Sequence, residues 1–150
     1  MIRVVLLLSV IALLASACGQ TSTQSLASPT PERFGTATLT ETNCDFAMPS
    51  ALPMHPVSFG LVNKTKFTGH FGLLNINDDH TFQNLVDFWN GHGGLVPAPF
   101  ATLITEQAVP ANGSMELVAT VTARGTYAFH CGFHDQDDKV TGFWHELKAG

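Results

Sequence analysis

Apolar and polar residues alternate along most of the chain beyond residue 36, and the alternation has the period of a strand. The stretches TATLTET (36–42), VSFGLVN (57–63) and HFGLLNI (70–76) mix β-branched and aromatic residues with polar ones in this way. FATLITE (100–106), SMELVATVTA (114–123), TYAFHC (126–131) and GFWHELKA (142–149) continue it. Between them, KTKFTG, Pro110-Ala111-Asn112-Gly113 and Arg124-Gly125 supply turn chemistry. One segment departs from the pattern. DDHTFQNLVDFWNG (78–91) places Phe82, Leu85, Val86 and Trp89 at helical spacing, with Asp78 and Asp79 at its start and Asn90-Gly91 as its stop. The glycine-rich GHGGLVPAP that follows reads as a loop. Seven strand-like runs with turns between them predict an all-β, antiparallel β-sandwich with one short inserted helix.

The first residues carry a different signal. Arg3, the apolar run Val4–Leu14 and the small triplet Ala15-Ser16-Ala17 form an export signal, 1–17, too short for a permanent span. The cysteine that follows resembles the lipobox of bacterial lipoproteins. That resemblance implies cleavage before Cys18, lipid on Cys18, and a chain anchored to a membrane in the periplasm or on the outer face. An ordinary secretory signal is the alternative, and it too sends the chain out of the cytoplasm. GQTSTQSLASPTPERFG is polar and proline-containing, so residues 18–35 read as a flexible tether. The single domain is then 36–150.

Charge narrows the partners. Twelve Asp+Glu against seven Lys+Arg, one of them Arg3 in the signal, leave a mildly acidic domain with no basic patch for nucleic acid. There is no nucleophile elbow, phosphate-cradling glycine loop or HExxH, and the acidic loop Asp135, Asp137, Asp138 lacks the glycine and glutamate of a calcium loop. The domain does not read as an enzyme.

Candidate chemistry gathers at the end of TYAFHC. Tyr127, Phe129 and Cys131 share one face and Ala128 and His130 the other, so Cys131 points inward and His130 away from it. His134 follows in the loop that leaves the strand. A thiolate and an imidazole so close can share a metal ion, with His70, at the start of a strand, as the best third ligand. Set against this, Cys44 and Cys131 are the two thiols left once Cys18 carries lipid, and in an oxidising compartment they invite pairing.

VSFGLVNKTKFTGHFGLLNI resembles the first half of a cupredoxin, the small blue-copper fold. VPANGSMELVATVTARGTYAFHC is similar to the later half, and DFAMPSALPMHPVSFGLVN to its opening region. The resemblance covers most of 36–150. It implies a cupredoxin-like Greek-key β-sandwich holding one type 1-like copper, with His70 and His134 as imidazole ligands and Cys131 as the thiolate. It further implies one-electron transfer with an extracytoplasmic redox or copper-handling protein. Phe143 stands where the family carries an axial methionine, and it has no lone pair for copper; this fits a copper carrier or sensor as well. The family's opening segment runs beside the metal end, which puts Cys44 within reach of Cys131. A Cys44–Cys131 disulfide would end the copper chemistry and leave a metal-free, stapled module. His55 reads as a surface turn residue, His80 and His92 as solvated, and His145 as structural or exposed. A second, surface copper or zinc site is a further possibility raised by seven histidines.

Overall fold

The structure, a computed structural model, describes residues 30–77, 79–93 and 97–150. The export signal, Cys18, most of the tether, Asp78 and part of the glycine-rich loop lie outside them. Among the described residues there are nine strands and one helix: β1 Glu32–Leu39, β2 Cys44–Ala47, β3 Ala51–Leu52, β4 Pro56–Asn63, β5 Gly69–Ile76, α1 Phe82–Gly91, β6 Ala101–Val109, β7 Ser114–Thr120, β8 Gly125–His134 and β9 Val140–Ala149.

The strands form two sheets, ordered β2-β1-β4-β7 and β3-β9-β8-β5-β6. The chain changes sheet five times, between β2 and β3, β3 and β4, β4 and β5, β6 and β7, and β7 and β8, and the two sheets form the β-sandwich expected. The sheets are mixed rather than purely antiparallel. β1 pairs β4 in parallel, and β3 pairs β9 in parallel. The reason is the crossing itself: with β2 on its outer edge, β1 meets a strand that runs in its own direction.

Alternation closes the sandwich. Ala37, Leu39, Phe59, Leu61 and Leu117 of the first sheet face Phe71, Leu73, Phe129, Cys131 and Leu147 of the second, all nearly or wholly buried. Phe59 and Phe129 meet across the middle with ring centroids 4.8 Å apart. A side chain of this size contributes about 1.5–3 kcal/mol when fully buried. The Tyr127 hydroxyl donates to the Ala123 carbonyl at 2.9 Å and pins the entry to β8.

Several boundaries differ from the sequence reading. β1 begins at Glu32, inside the stretch read as tether, because Phe34 packs edge-on against Phe59 at 5.5 Å. β2 and β3 are only four and two residues long, too short for alternation to register. The helix starts at Phe82 rather than 78. Thr81 caps it by accepting from the Asn84 amide, while the Asn84 side chain accepts from the Thr81 amide. No acidic residue lies in its first turn, so this reciprocal cap, and not Asp79, sets the start.

Helix α1 lies on the outer face of the five-stranded sheet. Leu85 is buried there against Ile76, Ala98 and Ala128, with Phe82, Phe88, Phe100 and Trp144 around them. This second cluster leaves the outer face partly covered, and the uncovered part holds most of the candidate residues.

Candidate functional site

Strands β5 and β8 run antiparallel, with Phe71 opposite Cys131 and His70 opposite Gly132. Since side chains alternate across a sheet, residues 69, 71 and 73 face the core with 131 and 133. Residues 70, 72 and 74 face outward with 130, 132 and 134. Cys131 is fully buried, whereas the His70 side chain is 43 % exposed. The sulfur and the imidazoles expected beside it therefore emerge on opposite faces of one sheet. His134 is also not in a loop; it is the last residue of β8, exposed on the outer face.

Cys131 is joined to Cys44 by a disulfide, with the Cα atoms 6.5 Å apart. Cys44 stands in β2, so the bond links the two sheets through the core. The inward position at the start of β5 belongs to Gly69, where a Cβ would come within about 3.1 Å of Leu39 and Asn63 side-chain atoms. Phe67 and Phe133 stack nearby, 5.3 Å between centroids and 8° between planes. Phe143 sits opposite Cys131 in register and packs on the core. The end of the sandwich where a thiolate and two imidazoles would meet is filled by a sulfur bridge and apolar rings. His70, Cys131 and His134 do not fit a type 1 copper centre in this arrangement, since the thiolate is committed and the nitrogens point away.

The loop at this end is held by Asn63, buried at the end of β4. Its amide donates to the carbonyls of Phe67 at 2.8 Å, Val109 at 3.0 Å and Pro110 at 3.1 Å. Its oxygen accepts from the Thr65 amide at 3.0 Å and hydroxyl at 2.8 Å. This hub fixes where β5 starts, and so which of its residues face in.

On the outer face the histidines do assemble. A cavity of about 320 Å³ opens between the sheet and the chain around α1, and His70, His130, His134, Glu106, Trp89 and Trp144 are among the side chains lining it. The His70 Nδ1 lies 3.5 Å from the Glu106 Oε1, and the His70 and His134 ring centroids are 6.1 Å apart. Gly72 and Gly142 make the room. The His130 ring leans over Gly72, where a Cβ would meet it at 3.0 Å, and the Trp89 indole sits on Gly142 at 3.1–3.2 Å. Trp89 meets Trp144 edge-on, centroids 4.9 Å apart.

Burial pushes the His130 imidazole below its ordinary pKa, with the Glu106 carboxylate opposing and the His70 ring adding to the effect. The His130 Nδ1 and Trp144 Nε1 are buried without a hydrogen-bond partner. Among the described residues no three His, Cys, Asp or Glu side chains converge well enough to hold an ion as they stand.

The remaining histidines lie away from this cavity. His55 is exposed, its Nδ1 3.1 Å from the Pro56 carbonyl. His92 ends α1, with its Nδ1 2.8 Å from the Phe88 carbonyl. His80, expected to be solvated, stacks flat on Phe100 at 4.1 Å, because the turn before α1 folds it onto the second cluster. His145 stacks on Phe46 at 5.1 Å, and burial lowers its pKa. Glu106 was not singled out from the sequence. Its place in the alternation of β6, outward like Ala108, is the only signal that could have found it, and that signal names a face and not a partner.

No protein-family model matches the chain, and no curated protein matches it in sequence. Among solved structures it is similar to dithionite-reduced auracyanin from the photosynthetic bacterium Roseiflexus castenholzii, at 12 % identity and TM-score 0.47. That likeness covers 77 % of this chain and 94 % of the other. It is also similar to auracyanin B, at 19 % identity and TM-score 0.46, over 82 % of this chain and 92 % of the other. These likenesses concern the fold alone, and the β-sandwich itself rests on the two sheets described above.

Proposed function

We propose that the domain is a disulfide-stapled, cupredoxin-like binding module rather than a copper-thiolate electron carrier. It is held outside the cytoplasm by the lipid on Cys18. Its working surface is the cavity beside α1.

The observation that carries this reading is the partition across the second sheet. Cys131 is bonded to Cys44 inside the core, and His70 and His134 stand outside it. Reduction alone would not build the copper site, because the strand register would still separate thiol from imidazoles. The cavity supports a binding role, being a preformed concavity with apolar walls and a few grouped polar side chains.

The test has two parts, both on the full chain in detergent. Reaction of the unfolded, unreduced protein with a thiol reagent should find no free thiol at Cys44 or Cys131. Addition of Cu(II) should give no intense thiolate-to-copper absorption in the visible. An intense band that disappears in Cys131→Ala would overturn the proposal and restore the electron carrier.

A further inference from the structure

We propose that His70, Glu106 and His134 form a site for a divalent transition-metal ion of the zinc type on the outer face of the five-stranded sheet. This rests on the reading of the cavity as the working surface, and it supplies the ligand class. The distances carry it. The His70 Nδ1 and Glu106 Oε1 are 3.5 Å apart, beyond the 2.7–3.2 Å of ordinary N–H···O hydrogen bonds. Donors about 2.0–2.1 Å from a tetrahedral ion are themselves about 3.3–3.4 Å apart, so this pair already spans one edge of a coordination shell.

His134 supplies the third donor. Two imidazoles sharing an ion, each with its ring centre about 3 Å from the metal, hold those centres about 5–6 Å apart. The His70 and His134 centroids are at 6.1 Å. The three side chains do not converge as they stand; His134 is exposed at the end of its strand, and in the proposed site its ring turns toward His70 and Glu106 when the ion binds. Both His70 and Glu106 are about two-fifths exposed, so the ion has access from solvent.

The donor chemistry selects the ion. Two imidazoles with one carboxylate suit zinc, nickel or copper(II), while calcium and magnesium prefer all-oxygen shells. Water fills the fourth position or leaves it to a ligand entering the cavity. No redox step is involved.

The experiment is calorimetric titration of the full chain in detergent with Zn²⁺ alone, repeated on variants. The expected result is one ion per chain. His70→Ala and His134→Ala should each weaken binding by more than about tenfold, the lower end of what even outer-shell partners cost. Glu106→Gln should weaken it less, and His92→Ala, away from the cavity, should leave it unchanged. Thermal melts check that the variants fold. Absence of stoichiometric binding overturns the proposal, as does binding that ignores both histidine replacements. Zinc binding that is lost in Cys131→Ala but kept in His70→Ala places the metal at the sulfur, and overturns the stapled-module reading as well.

Discussion

Breaking the bond between Cys44 and Cys131 tests the architecture most directly. The two cysteines are 87 positions apart in the chain. Cross-linking a loop of that length removes freedom from the unfolded chain worth about 4–5 kcal/mol at room temperature. Reduction, or the double replacement Cys44→Ala/Cys131→Ala, should therefore lower stability by about that amount, with a further contribution from the space left in the core. For a domain of this size about 4 °C of melting temperature accompanies each kcal/mol, so the midpoint should fall by roughly 15–20 °C. The assay is urea and thermal unfolding with and without reductant. The dependence on urea should also steepen, since an unlinked unfolded chain exposes more surface. A reduced protein melting within about 3 °C of the oxidised one would refute the reasoning, as would two thiols reacting in the native protein before any reductant is added.

Three further outcomes follow from the packing. Asn63→Leu should destabilise by about 2–4 kcal/mol in urea unfolding, because it strands several buried groups of the loop; a change under about 0.5 kcal/mol would argue against the hub. Gly132→Ala places a Cβ 2.5 Å from the Thr141 carbonyl oxygen, so the two strands must shift apart, and the melting temperature should drop rather than rise. Acidification should weaken the fold through His130 and His145, whose native pKa values burial holds below the ordinary 6.5. Above that value both states are neutral and stability is complete. As pH falls below it toward the lowered native values, the unfolded chain binds protons that the native state refuses and stability declines, until the native histidines protonate too and the loss is complete. Urea midpoints flat above about pH 7 and falling below about 6.5 would agree, with the slope reduced in His130→Gln; a midpoint that rises on acidification would not.

The longer strands and the helix were legible in the sequence because their alternation runs over seven or more residues. The short β2 and β3 were not, and Phe34, alone among polar neighbours, gave no sign that β1 reaches back to residue 32. The site shows a different limit. Phe71 and Leu73 alternate with His70 and Gly72, so the pattern itself puts His70 on the face away from the core. The cupredoxin resemblance placed it with Cys131 instead. A slip of one position reverses every face, and a resemblance between loops cannot fix position that finely. Glu106 was hidden for another reason: its partner lies on a neighbouring strand, and pairing between strands is written in the register, not in either segment alone.

The depth of the sulfur bridge has a consequence for when it forms. Cys131 has no exposed surface and Cys44 only 5 %. Thiol–disulfide exchange needs an attacking thiolate to reach one sulfur in line, and neither is approachable while the sheets are closed. Oxidation must then accompany folding, before the hydrophobic layers meet. Afterwards the link answers to the rate at which the domain opens and not to the redox state of its surroundings, so it serves as a permanent fastening rather than a sensor.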